Sequence, residues 1–154
     1  MIAIIRLRGQ IKLSPDIKYA LALLGTFRIN HMALIKENET AKGTTQKLKD
    51  YVTFGQINEE TLAKVLEKRA EVTGGKKISP ENLKEWKLKS FDEMAKKMIA
   101  ENLCLKDFPK LKTIIRLHPA VKGLERKGKK ISFVKGGALG DRKEAINKLI
   151  LRMI

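Results

Sequence analysis

The sequence predicts an α+β protein in which a small sheet carries helices and is followed by a mainly helical subdomain. In the first 57 residues, short apolar runs alternate with apolar stripes of 3.6-residue period in the order β-α-β-α-β. Beyond this unit the helical period dominates for about fifty residues. We therefore divide the chain into a core unit, 1–57, and an extension, 58–154.

Three strands are predicted in the core unit, at 2–8, 31–36 and 51–54. In the first, Ile5 and Leu7 alternate with Arg6 and Arg8, which predicts one apolar and one basic face. Both arginines are therefore expected to face solvent or RNA. The helices between the strands are predicted from Ser14-Pro15 to Gly25, with an apolar stripe from Ile17 to Leu24, and from Thr40 to Asp50.

The extension begins with helices predicted after Asn58, after Ser79 and after Ser90, the last with a capping box to Glu93. Met94 and Met98 are interpreted as core residues of this region. Two more strands are predicted, at 113–118 and 131–134. A last helix, capped by Asp141 with Glu144, carries the stripe Ile146, Leu149, Ile150 and Met153.

Composition favours a polyanionic partner. The chain has 154 residues, 43% of them apolar, and a net charge of +16. Charge of one sign on this scale opposes compactness unless an anion neutralises it, so nucleic acid is the first candidate and an anionic membrane surface the second. The lone Cys104 excludes an internal disulfide, and no apolar run approaches the roughly 20 residues of a membrane span. A soluble cytoplasmic protein is predicted.

The positive charge is concentrated in the last third of the chain. Residues 109–154 hold 13 basic and 3 acidic residues, whereas 1–60 and 61–108 each have a net charge of only +3. The loop 122–130 combines two glycines with Lys122, Arg126, Lys127, Lys129 and Lys130. A solvated charged face is the alternative interpretation, but the uneven total favours phosphate contacts.

Nothing in the sequence indicates catalysis, a metal or a cofactor. The two histidines, His31 and His118, lie at predicted strand ends, where a structural position and an RNA contact are both open. Gly136, Gly137 and Gly140 lie between a predicted strand and a helix, an arrangement that can bind phosphate. The nucleotide-binding patterns are nevertheless incomplete, so a backbone phosphate of RNA is the preferred ligand.

The predicted mode of RNA recognition is by phosphate and shape. Aromatic residues make up 5% of the chain, and Tyr51 and Phe54 are interpreted as sheet core rather than as stacking platforms. A free-standing nucleic-acid-binding regulator is the alternative, but no basic recognition helix stands out. A membrane-surface protein would carry its cations on one amphipathic helix, whereas here they lie largely in a loop and on strands.

The order of several segments resembles the L-thirty family of large-subunit ribosomal proteins, in its longer archaeal-type form, whose eukaryotic counterpart is called L-seven. The matching segments are Ile5-Arg-Leu-Arg-Gly9, Arg28-Ile-Asn-His31, Thr40-Ala-Lys-Gly43, Lys47-Leu-Lys-Asp-Tyr-Val-Thr-Phe-Gly55, Ile115-Arg-Leu-His-Pro119 and Lys135-Gly-Gly-Ala-Leu-Gly140. The resemblance implies a ferredoxin-like core with a three-stranded antiparallel sheet and two helices. It also implies a structural role in the large ribosomal subunit, without catalysis.

The partners implied by the resemblance are large-subunit rRNA, with a position near the 5S rRNA, and neighbouring ribosomal proteins. Neither a membrane nor a small-molecule substrate is implied. Resemblance and charge together predict an RNA-binding set of Arg28, Asn30, His31, Lys42, Gly43, Lys47, Arg116, His118, Lys122, Arg126, Lys127, Lys129, Lys130, Lys135, Gly136, Gly137 and Arg142.

Overall fold

A computed structural model describes residues 1–86 and 88–154, including all of their side chains except those of residues 80, 81 and 84. Five strands form one sheet: β1 (Ile2–Arg6), β2 (His31–Ile35), β3 (Val52–Gln56), β4 (Ile114–Arg116) and β5 (Gly140–Asp141). The α-helices are α1 (Pro15–Leu23), α2 (Glu39–Leu48), α3 (Glu59–Arg69), α4 (Pro80–Glu85), α5 (Phe91–Ala100) and α6 (Ile146–Leu151). Short 3₁₀ turns occupy Leu105–Asp107, Phe133–Lys135 and Lys143–Ala145.

The strand order is β4-β2-β1-β3-β5, with β1 at the centre. All neighbours are antiparallel except β3 and β5, which run parallel. The predicted α+β class is confirmed, and the three strands of the core unit form the middle of the sheet. The extension adds one strand at each edge. The boundary between residues 57 and 58 stays a prediction.

Helices or extension segments cover both faces of the sheet. On one face, Ile2, Ile4 and Val52 pack with Ala20 and Leu21 of α1 and Leu48 of α2. On the other face, Ala3, Ile5 and Leu7 pack with side chains of α3, α5 and α6. Every residue of β1 is therefore buried, and the predicted basic face of this strand is wrong.

The extension packs through long apolar side chains. Leu62 and Leu66 of α3 and Met94 and Met98 of α5 are fully buried in one cluster, which confirms the methionines as core residues. The Ser90 hydroxyl caps α5 by accepting from the Glu93 N–H at 3.2 Å. The Glu93 carboxylate reaches the Lys89 N–H, one residue earlier than a capping box requires.

The strand predicted at 131–134 is wrong. Phe133–Lys135 form a 3₁₀ turn, and only a single bridge, between Ser132 and Leu139, remains of sheet pairing. The turn closes on Gly136, whose φ of 86° favours glycine. The backbone thus reverses where the apolar run alone indicates an extended segment.

Candidate nucleic-acid interface

Five strand ends meet at one end of the sheet. Arg6 pairs with Val52, His31 with Arg116, and Thr53 with Gly140, so β1 and β4 end where β2, β3 and β5 begin. The connections 7–14, 24–30, 49–51 and 117–139 all lie at this end. We call it the basic end, because the last of these connections contains the basic loop 122–130.

The cations of the basic loop face solvent. Arg126, Lys127, Lys129 and Lys130 are exposed, as is Lys135 beyond the loop. The structure describes five ion pairs, and none of these side chains takes part in one among the described residues. Cations exposed without carboxylate partners are available to phosphate oxygens.

A buried arginine, Arg142, forms hydrogen bonds with the basic loop. Arg142 is only 3% exposed, and its Nη1 and Nη2 donate to the two Glu125 carboxylate oxygens at 2.5 Å each. Its Nε donates to the Thr53 hydroxyl at 2.8 Å, and Nη2 also donates to the Ala138 carbonyl at 3.0 Å. The guanidinium lies 4.5 Å from the centroid of the Phe133 ring. Four of the five N–H groups of Arg142 are thus hydrogen-bonded inside the protein, and because the side chain is buried we do not include it among the proposed RNA contacts.

The acid of this anchor stays ionised over a wide pH range. The hydrogen bond from Arg142 lowers the pKa of Glu125, and this effect outweighs desolvation, which raises it. The Gly128 N–H donates to the Glu125 carbonyl at 2.8 Å, and the Ala138 N–H donates to the Gly128 carbonyl at 3.0 Å. The bidentate pair therefore holds the segment from which the loop cations project.

A second arginine is buried at the basic end. Arg6 is 1% exposed and donates to four carbonyls, those of Arg8, Gly9, Thr26 and Phe27, at 2.7 to 3.1 Å. These carbonyls belong to the connections on either side of α1. Arg6 is thus a structural residue, and the expectation that it faces solvent or RNA is wrong. The neighbouring Arg8 is half-buried and stacks on the Tyr51 ring at 5.0 Å.

Strand pairing brings Arg28, His31 and Arg116 together around a cleft of about 500 Å³ that Lys112 also lines. Arg28 and Arg116 are exposed, whereas His31 is buried and its Nδ1 has no partner. Burial lowers the pKa of His31, and the nearby arginine cations, Arg116 foremost, lower it further. His31 is therefore neutral at pH 7 and marks a region of positive potential.

Asn30 contributes to this end of the sheet through its backbone. Its φ of 63° turns the chain into β2, and its N–H donates to the Arg6 carbonyl at 2.8 Å. Its carbonyl accepts from the Leu117 N–H at 3.0 Å, where β4 leads into the basic loop connection. His118 follows and is exposed.

Lys42 and Gly43 lie away from the basic end. They belong to the first half of α2, which follows the far end of β2. The ammonium group of Lys42 lies 3.6 Å from the Glu37 carboxylate, and Gly43 has open space at its Cα. Lys47 is exposed in the last turn of α2. Lys42 and Gly43 are therefore not brought together with the loop cations, whereas Lys47 lies two residues before the connection 49–51 at the basic end.

The glycine segment is built for packing and not for a nucleotide. A Cβ on Gly137 would lie 2.1 Å from the Ile131 carbonyl oxygen, so Gly137 is required by close chain approach and is buried. The helix α6 begins only at Ile146, six residues after Gly140. The 3₁₀ turn Lys143–Ala145 separates these glycines from α6. Because Gly137 is buried, we do not include it among the proposed RNA contacts, whereas Gly136 is exposed.

Two groups of surface residues were not predicted from the sequence. Lys68, Arg69, Lys77 and Lys112 lie beside β4, because folding brings the end of α3 to this edge of the sheet. Phe27 and Ile29 flank Arg28 and are 48% and 44% exposed. No local pattern marks these side chains, since their position depends on pairing between distant segments.

The described chain contains neither a helix able to cross a bilayer nor a cluster of three potential metal ligands. Residues 2–52 match the family model for ribosomal protein L30p/L7e. Over 152 residues the chain is 43% identical to large ribosomal subunit protein uL30 of Nanoarchaeum equitans, covering 99% of this chain and 97% of that protein. The uL30 proteins of Methanococcus vannielii and Methanocella arvoryzae are 41% and 42% identical, over 98% and 99% of their lengths and 99% of this chain.

Proposed function

The chain belongs to the ribosomal protein L30p/L7e family, uL30, and on this premise we propose that its basic end binds folded rRNA in the large ribosomal subunit. The family is structural and non-enzymatic, and its archaeal members are constituents of the cytoplasmic large subunit. The proposed recognition is by phosphate and shape contacts. The expected position near the 5S rRNA stays a prediction.

The observation that carries this proposal is the group of exposed cations at the basic end that have no carboxylate partner among the described residues. Its proposed contacts are Arg28, Arg116, His118, Lys122, Arg126, Lys127, Lys129, Lys130, Lys135 and Gly136, with Asn30 and His31 holding the strand start from which Arg28 projects. Each cation that neutralises a phosphate releases condensed counterions, which favours association and makes it depend on salt.

The rigid support of the loop favours shape recognition. Because Arg142 and Glu125 fix the loop backbone, the cations project from a surface of defined shape. A-form RNA is recognised mainly through its backbone and shape, which suits such a surface. Lys42 and Gly43 lie elsewhere. Their RNA contact, like that of Lys47, stays a prediction from the family resemblance.

Sedimentation of a cell extract at low and raised salt tests the proposal. We expect the protein to migrate with the large subunit at both salt concentrations, because many phosphate contacts and a complementary shape act together. Migration as free protein, or its release at modest salt, would contradict a structural role. Such behaviour would instead favour a free-standing nucleic-acid-binding regulator, which binds polyanions loosely.

A further inference from the structure

A small cavity lies at the corner where α3 and β4 end, outside the basic loop. Its volume is about 170 Å³, and Lys68, Arg69, Glu71, Lys77, Arg116 and His118 contribute to its walls. Pockets for drug-sized ligands begin at roughly 300 Å³, so this cavity suits a smaller group.

The walls of the cavity carry an excess of positive charge. Lys68, Arg69, Lys77 and Arg116 face one carboxylate, Glu71, which already accepts from the Lys112 ammonium at 2.6 Å. Lys68 and Arg69 lie in the last turn of α3, where the partial negative charge of the helix C-terminus stabilises cations. Lys77 and Arg116 come from other segments and have no such explanation.

Arg69 supplies a second, independent observation. Its Nε is buried and has no hydrogen-bond partner. Buried side-chain donors are nearly always partnered, so an unpaired one indicates a missing acceptor. Guanidinium donors match phosphate oxygens in geometry and charge.

We propose that this cavity receives one backbone phosphate of the rRNA, at a position separate from the contacts of the basic loop. The inference rests on the proposed rRNA binding. Arg116 lines both this cavity and the cleft that contains Arg28 and His31. The bound RNA strand therefore continues from the basic end along the edge of β4.

The test compares two double variants of the full chain. Lys68→Gln/Lys77→Gln removes two cations from the cavity, and Lys64→Gln/Lys76→Gln removes two exposed cations from the same helix and the same turn outside it. Binding to a large-subunit rRNA transcript of Nanoarchaeum equitans is measured between 50 and 200 mM salt. Thermal unfolding checks that both variants keep the stability of the unmodified protein.

We expect the cavity variant to lower the slope of log affinity against log salt by about 0.7 to 0.9, the value for one neutralised phosphate. The control variant should keep the slope of the unmodified protein. Equal slopes for the two variants, with binding by the unmodified protein intact, would overturn the cavity proposal alone. Failure of the unmodified protein to bind the transcript would instead overturn the proposed function.

Discussion

The cations at the basic end form two layers that differ in what they contact. The inner layer consists of Arg6 and Arg142, which are buried and donate to carbonyls, a hydroxyl and one carboxylate. The outer layer consists of Arg126, Lys127, Lys129, Lys130 and Lys135, which are exposed and have no carboxylate partner among the described side chains. The inner layer of the positive charge therefore supports the loops, and the outer layer is the part that we propose binds phosphate.

Removing an inner-layer arginine should give the largest effect on stability. Arg6→Leu removes the donor of the Arg8, Gly9 and Thr26 carbonyls, the last of them buried, and should lower the free energy of unfolding by about 3 kcal/mol or more. The Phe27 carbonyl keeps a second donor, the side-chain amide of Gln10. Urea denaturation measures the loss. The matched control is Arg8→Leu, which removes a cation–π contact with Tyr51 and an exposed hydrogen bond to the Asp50 carbonyl, and should cost about 1 kcal/mol. Equal losses of unfolding free energy for the two variants would contradict a special structural role for the buried Arg6.

Removing the outer layer should act on binding and not on stability. A variant in which the four loop cations are replaced by Ala should lower the salt slope of rRNA binding by about 3. Each phosphate that is no longer neutralised accounts for roughly 0.7 to 0.9 of this slope. The four replaced residues are Arg126, Lys127, Lys129 and Lys130. Their exposure predicts an unchanged melting temperature. A control that replaces Lys64, Lys89, Lys96 and Lys97 by Ala, exposed cations on or beside α3 and α5, should keep most of the slope. An unchanged slope in the loop variant would remove the loop from the interface.

The connection between the two layers can be tested without touching any cation. Glu125→Gln weakens the bidentate anchor and should cost about 1.5 to 3 kcal/mol, the range for hydrogen bonds to charged groups. Hydrogen exchange should become faster at Gly128 and Ala138, and rRNA affinity should fall although all loop cations remain. Glu85→Gln breaks an exposed pair with Lys110 and should cost below about 1 kcal/mol. Unaltered exchange in Glu125→Gln would show that the pair does not order the loop.

Acid should destabilise the protein in two pH windows. His31 has a pKa lowered from 6.5, so the unfolded chain takes up the proton more readily and stability falls as pH drops below about 6.5. Glu125 and Glu71 have pKa values lowered from 4.5, so their contribution is complete above pH 4.5 and is lost as pH falls through their folded values. Urea denaturation at pH 7.5, 5.5 and 3.5 measures both windows.

A variant separates the first window from the second. His31→Gln cannot titrate and should remove much of the loss between pH 7.5 and 5.5, whereas the loss below pH 4.5 should persist. Stability that stays level or rises between pH 7.5 and 5.5 in the unmodified protein would contradict a neutral, buried His31.

Much of the fold could be predicted from local patterns. The strands at His31 and Val52, the helix that begins at Pro15 and the helix capped by Ser90 follow from periodicity and terminal residues. The strand predicted from the apolar run at 131–134 is wrong, because the turn at Gly136 overrides strand propensity there. The sheet edges depend on pairing across about 85 residues, such as His31 with Arg116, which no local pattern encodes.

The sequence predicts the positive charge of the candidate site but not which of its side chains are buried. The basic loop follows from the uneven charge of the last third of the chain. The burial of Arg6 and Arg142 depends on acceptors far away in sequence, such as the Thr26 carbonyl and the Thr53 hydroxyl. No sequence pattern distinguishes Arg6 and Arg142 from Arg126. Only the tertiary structure shows that the first two are buried and support the loops, whereas Arg126 is exposed.

Lysine acetylation of purified large subunits tests the orientation of the basic end most directly. Each lysine is compared between the free protein and the assembled subunit by mass spectrometry. We expect Lys122, Lys127, Lys129, Lys130 and Lys135 to react in the free protein and to be protected in the subunit, because phosphates cover the outer layer. Full reactivity of these lysines in the assembled subunit would contradict the proposal that the basic end faces rRNA.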